Sequence, residues 1–208
     1  YQIDTEKLIS LSPDLVILNR GMNEKLIDTL GANGIKTLVL DGKSYDDVKR
    51  EIGILAALTG EQKKGEELVQ KMDSDLDAVR RSIPQEKKRV AIIHSTGQGL
   101  SVQLDGSIAG CIANMLGWEN TAAGMPALDK NPDAAPYSME TLVAQNPDIL
   151  FVTSMGDEAE IRASMEAMFA DNPAWQSVTA IREGKVYYLP QEMFLFSPGL
   201  DYPAAAKY

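Results

Sequence analysis

Cysteine and histidine are nearly absent: the 208 residues hold one of each, Cys111 and His94. A lone cysteine excludes an internal disulfide and leaves reducing and oxidising compartments equally open. A lone histidine excludes a zinc or manganese site built on several imidazoles, though not one built on carboxylates. Long apolar runs are missing too. Tetrads such as Leu15–Leu18 and Val90–Ile93 fall far short of the roughly 18 residues needed to cross a bilayer. No basic-then-apolar segment opens the chain, so a signal peptide would lie outside it.

Positive charge is also scarce. Lys and Arg number 20 against 30 Asp and Glu, a net charge of −10. This argues against a nucleic-acid-binding face and against docking on an anionic membrane surface. The signatures Gly-x-Ser-x-Gly and His-Glu-x-x-His and a P-loop lysine do not occur, and Gly97-Gln98-Gly99 is too sparse for a dinucleotide fingerprint. Asp129, Asp133, Asp157 and Glu158 are spaced irregularly and read as solvated loop charge. Enzyme chemistry is therefore poorly supported, and no cofactor is called for.

What is present is ordinary globular composition, 44% apolar and 24% charged. One feature stands out. Residues 6–18 read EKLISLSPDLVIL and residues 140–152 read ETLVAQNPDILFV, at an ungapped offset of 134. Each copy predicts a short helix opened by a capping residue, Asp4 or Thr5 in the first and Ser138 in the second. Glu6 and Glu140 fall in the first turns, where the helix dipole favours negative charge. Pro13 and Pro147 stop the helices. The apolar tetrads that follow suit strands buried on both faces, as in a parallel sheet.

The stretches after each tetrad match as well. Met22–Leu30 and then Ile35–Leu40 read as helix and strand, as do Asp157–Phe169 and Lys185–Leu189. This is the grammar of an α/β protein with two lobes of mostly parallel, doubly wound sheet. Between them, Tyr45–Leu58 is helical, and Glu61–Ile83 carries one narrow apolar stripe (Leu68, Met72, Leu76, Val79, Ile83) on an otherwise charged surface. The expected layout is an incomplete N-terminal lobe over 1–60, a long linking helix over 61–84 and a C-terminal lobe over 85–208. Cys111 falls on the apolar stripe of a helix predicted over Asp105–Leu116 and reads as an inert core residue.

The repeated Glu-x-Leu…Pro-Asp segment, the long linking helix, the stretch Leu116-Gly117-Trp118-Glu119-Asn120 and Ser197-Pro198-Gly199 together resemble the extracytoplasmic solute-binding proteins of iron-complex ABC importers. Members of that family carry ferric siderophores, haem or cobalamin. The resemblance implies a further βαβ unit, a signal peptide and often a lipid-anchored cysteine before the segment that opens here, and helices beyond residue 208. It implies that Glu6 and Glu140 dock onto arginines of the membrane permease, a role compatible with their service to the helix dipoles. It also implies an extracytoplasmic location, in the periplasm or at the cell surface.

Ligands of α/β proteins meet the carboxyl ends of parallel strands. This selects four loops, residues 19–22, 94–98, 153–156 and 193–196, and from them Arg20, Met22, His94, Met155, Phe194 and Phe196. Arg20 is either a cation for an anionic iron complex or a salt-bridged loop residue. His94 either ligates haem iron or bonds a ligand, or is a hydrogen-bonded structural residue. Met193, Phe194 and Phe196 either face a macrocycle or pack under their loop. The expected function is capture of a ferric siderophore or similar iron complex for delivery to an ABC permease. Haem, cobalamin or an oxyanion in the same fold, and a cytoplasmic α/β enzyme or regulatory domain, are the alternatives.

Overall fold

The computed structural model describes residues 3–84 and 86–208. The first compact unit, Tyr1–Gly42, opens with α1 (Thr5–Ser10), whose cap is Asp4: its carboxylate accepts the Lys7 N–H at 2.9 Å. β1 (Leu15–Asn19) follows, then a 3-10 turn (Glu24–Leu26) leading into α2 (Ile27–Ala32), and β2 (Lys36–Leu40), which pairs with β1 in parallel. Leu18, Leu26, Leu30 and Ile35 form its small core.

The second unit, Lys43–Tyr208, begins with α3 (Tyr45–Thr59) and α4 (Gln62–Ser82). Ser44 and Asp47 make a reciprocal capping box at the start of α3, and Gly60 ends it in the left-handed conformation at φ 75°. The unit then runs β3 (Arg89–Thr96), β4 (Gly99–Gln103), α5 (Ile108–Met115), β5 (Glu119–Asn120), β6 (Ala134–Pro136), α6 (Met139–Gln145) and β7 (Ile149–Ser154). It closes with α7 (Glu158–Asp171), α8 (Pro173–Gln176), α9 (Thr179–Arg182), β8 (Val186–Tyr188), α10 (Gln191–Phe194) and α11 (Tyr202–Lys207). The strands form one sheet in the order β6-β4-β3-β7-β8, with β5 beside the start of β3. Pairings among β3, β5, β7 and β8 are parallel; β4 pairs antiparallel with β3 and β6.

The compact units divide at Gly42, earlier than the boundary at 60 suggested by the sequence. The reason is packing. Val48 of α3 and Met72, Leu76 and Val79 of α4 share one core with Ile92, Ile108, Ile112 and Tyr202. The narrow stripe on α4 thus covers one face of the larger sheet. α3 and α4 cross so closely at Gly65 that a Cβ there would come within 2.6 Å of the Ala56 methyl. The other face is sealed by Ile93, Leu150, Val152, Met165, Trp175 and Val178.

The repeat in sequence is also a repeat in structure. α1 and α6 start at Thr5 and Met139, and β1 and β7 at Leu15 and Ile149, both pairs 134 apart. The correspondence extends to a backbone detail: Ser12 and Asn146, again 134 apart, are the non-glycine residues with positive φ among the described residues, at 47° and 43°. In both copies a left-handed residue ends the helix and turns the chain into Pro-Asp.

Candidate functional site

Both docking candidates have the same local setting. Glu6 and Glu140 are exposed on the first turns of α1 and α6, each helix being capped from the residue before it. Ser138 Oγ accepts the Thr141 N–H at 3.2 Å. The aspartate of the second copy works for the sheet: the Asp148 carboxylate accepts the Arg89 N–H at 2.9 Å and ties β3 to the start of β7.

In the first unit, Arg20 follows β1 directly. Its Nη1 lies 3.2 Å from Glu24 Oε1 and its Nε 3.5 Å from Asp41 Oδ2, with the side chain 54% exposed. Glu24 also accepts the Gly21 N–H at 3.0 Å. Arg20 is thus a salt-bridged loop cation that still presents half its surface to solvent. Exposed ion pairs of this kind contribute little and yield readily to a better anion. Met22, beside it, is 60% exposed.

In the second unit, the carboxyl ends of β3 and β7 bring polar side chains together. His94 lies within β3, which continues to Thr96, and not in the loop predicted from residue 94 onward; it sits opposite Thr153 of β7. Its Nδ1 is 3.1 Å from Thr153 Oγ1, which also reaches the Ile93 carbonyl at 3.4 Å. Thr153 is fully buried and Ser95 and Ser154 nearly so. Burial lowers the His94 pKa, with an opposing contribution from a hydrogen bond to Thr153, so the imidazole is neutral at neutral pH. Its tautomer follows the hydroxyl. When Thr153 donates to Ile93, Nδ1 carries the proton and Nε2 presents a lone pair. When Thr153 donates to Nδ1, Nε2 is the donor.

The other strand-end residues separate into two groups. Met155, in the turn after β7, is 57% exposed, and Phe196, past α10, is 47% exposed. Phe194 is 5% exposed and belongs to the core with Tyr202, its ring edge-on to Tyr208 at 6.1 Å. Met193 and Phe194 lie in the short helix α10, which ends at Phe194, so Phe194 turns inward and Phe196 lies beyond the helix, outside. Phe194 packs in the core, and its ring also lines a groove on the same face of the sheet.

Sequence reasoning missed an apolar groove of about 240 Å³ on the face of the sheet, between α5 and α10–α11. Trp118 stacks on Phe151 at 6.1 Å, Phe151 meets Tyr187 at 6.0 Å, and Phe194 and Tyr208 form the opposite wall. Every lining side chain is apolar or aromatic, so no charged group orients a ligand there. Cys111 makes a hydrogen bond to the Asp105 carbonyl, and burial, followed by the nearby carboxylates of Asp133, Asp47 and Asp105, pushes its thiol up to about 11. The thiol form is thereby favoured over the thiolate at neutral pH. Among the described residues, no group of three or more His, Cys, Asp or Glu side chains is arranged to hold a metal ion, and no helix is long and apolar enough to cross a membrane.

The second unit is thus a mostly parallel α/β sheet whose strand ends carry buried polar side chains. The sequence matches the family described as Periplasmic binding protein over residues 1–193, and the chain belongs to that family, a non-enzymatic solute-binding class. It is 25% identical over 189 residues to the iron-uptake system-binding protein of Bacillus subtilis (strain 168), covering 88% of this chain and 56% of that protein. It is 21% identical over 210 residues to a probable siderophore-binding lipoprotein of the same organism, YfiY, covering 99% of this chain and 63% of the relative. The chain thus spans about three-fifths of the length of these relatives. The fold is similar to that of an ABC transporter substrate-binding protein from Listeria monocytogenes EGD-e, with a TM-score of 0.84 at 23% identity over 98% of this chain and 78% of that one.

Proposed function

We propose that this protein is the substrate-binding component of an ABC importer, capturing a ferric siderophore or similar iron complex outside the cytoplasm and delivering it to the membrane permease. Membership of the periplasmic binding protein family across residues 1–193 carries the reading. The names of the Bacillus subtilis relatives support iron as the cargo and a lipid anchor as the means of retention at the cell surface. The ligand is bound without covalent chemistry. Arg20 and Met22 in the first unit, and His94, Met155 and Phe196 in the second, are the contacts proposed for it. Glu6 and Glu140 pair with permease arginines, exposed carboxylates meeting guanidinium groups.

Haem is the second reading, and the specific observation in its favour is His94, neutral and half-buried at a strand end with Nε2 uncommitted. Titration of the full-length protein with ferric siderophores, haem and cobalamin, followed by Trp fluorescence and visible absorbance, tests both readings. Saturable binding at about micromolar or tighter, worth roughly 8 kcal/mol, is expected for one class. No response across the panel overturns the proposal. For docking, the double substitution Glu6→Arg, Glu140→Arg abolishes uptake in cells while leaving ligand affinity unchanged; unimpaired uptake would refute the assignment.

A further inference from the structure

The strand-end loops of the second unit, residues 94–98, 153–156 and 189–196, contain no lysine or arginine. The first cation beyond β7 is Arg162, on the second turn of α7. Its guanidinium carbon lies 4.0 Å from the centre of the Tyr188 ring. Tyr188 is the last residue of β8, which places the pair at the carboxyl end of the sheet. Tyr188 is 8% exposed, and its hydroxyl is buried without a hydrogen-bond partner among the described residues.

The guanidinium is held but only partly neutralised. One N–H, on Nη2, reaches Glu158 Oε1 at 3.3 Å, and the side chain is 46% exposed. The rest of the donor fork has no hydrogen-bond partner among the described residues. Contact with a buried ring restricts a flexible side chain and orients its plane. The pair with Glu158 is an exposed i,i+4 contact, which is weak and yields to a stronger anion. A planar fork already oriented suits a bidentate acceptor such as a carboxylate or the paired oxygens of a catecholate. The surroundings make this cation matter. Asp157, Glu158 and Glu192 flank the same strand ends, and the chain carries a net charge of −10, so an anionic ligand is repelled unless a local cation offsets the field. Simple coverage of the Tyr188 ring would need no charge.

We infer that Arg162 is a specificity-determining ligand contact that selects anionic over neutral iron complexes. This rests on the binding-protein reading above. Full-length wild type, Arg162→Gln and Arg162→Lys are titrated with an anionic ferric catecholate and a neutral ferric trihydroxamate, with thermal unfolding of each protein alongside. Wild type favours the catecholate. Arg162→Gln weakens the catecholate about tenfold or more and leaves the trihydroxamate within about twofold, as expected for loss of a charge-assisted hydrogen bond. Arg162→Lys, keeping the charge without the fork, falls between. No loss on the catecholate, an equal loss on both probes, or wild-type binding of the neutral complex alone overturns the role of Arg162 and leaves the iron-complex reading standing. Wild-type failure to bind either probe overturns the inference, and that reading falls with it when haem and cobalamin also give no response.

Discussion

Thr153→Val tests the polar junction at the strand ends. The threonine is fully buried, and its hydroxyl is shared between His94 Nδ1 at 3.1 Å and the Ile93 carbonyl at 3.4 Å. Valine has nearly the same shape, so the change removes hydrogen bonds without opening a cavity. A net hydrogen bond contributes about 1 kcal/mol, and an orphaned buried partner adds to the loss. The bond to Ile93 is long and counts for little. His94 is half-buried, so water compensates part of what it loses. Burial of the methyl that replaces the hydroxyl offsets a further small fraction. The expected loss is therefore about 1–2 kcal/mol, read as a lower denaturant midpoint with an unchanged slope. The His94 ring also loses the group that sets its tautomer, so ligand affinity falls more than stability alone would account for. A variant as stable as wild type, with unchanged affinity, would refute the claim that Thr153 positions His94.

Three further outcomes follow from the same structure. Because burial lowers the pKa of His94, the unfolded chain takes up a proton near pH 6.5 before the folded one does. Stability contributed by this group is full above that pH and declines as pH falls through it toward the folded pKa; His94→Gln should flatten the decline between pH 7 and 5, measured by urea denaturation. Leu76→Ala, at a site 1% exposed in the core shared by α4 and the larger sheet, should cost about 2–5 kcal/mol. Gly110→Ala should cost about 3 kcal/mol, since its Cβ would clash with the Leu104 carbonyl oxygen and backbone does not give way easily.

Much of the larger unit was legible because its signals are local. The helical periodicity of Tyr45–Leu58 announces α3, and the stripe of Met72, Leu76 and Val79 the buried face of α4. β4 and β6 were not anticipated. Gly99–Gln103 and Ala134–Pro136 are short and carry little periodicity, and they become strands because β4 finds an antiparallel partner in the edge of β3 and β6 finds one in β4. The strand-end residues were found by topology alone, and topology does not say which way a side chain turns. Met155 and Phe196 face solvent, Phe194 does not, and Arg162 lies on a helix outside the loops that strand-end logic selects.

The sequence by itself determined the α/β class, the internal repeat and the family, since all three follow from the order and spacing of residues along the chain. The repeat is written in Glu, Leu and Pro-Asp, and even the left-handed turns at Ser12 and Asn146 keep its offset. Tertiary structure decided what depends on partners distant in sequence. It assigned α3 and α4 to the larger unit, because the apolar stripe of α4 is covered by Ile108, Ile112 and Tyr202. It put His94 against Thr153, 59 residues away, and Arg162 over the ring of Tyr188. Burial and charge at those positions are set by what packs beside them, and a linear pattern records only which residues are available to do so.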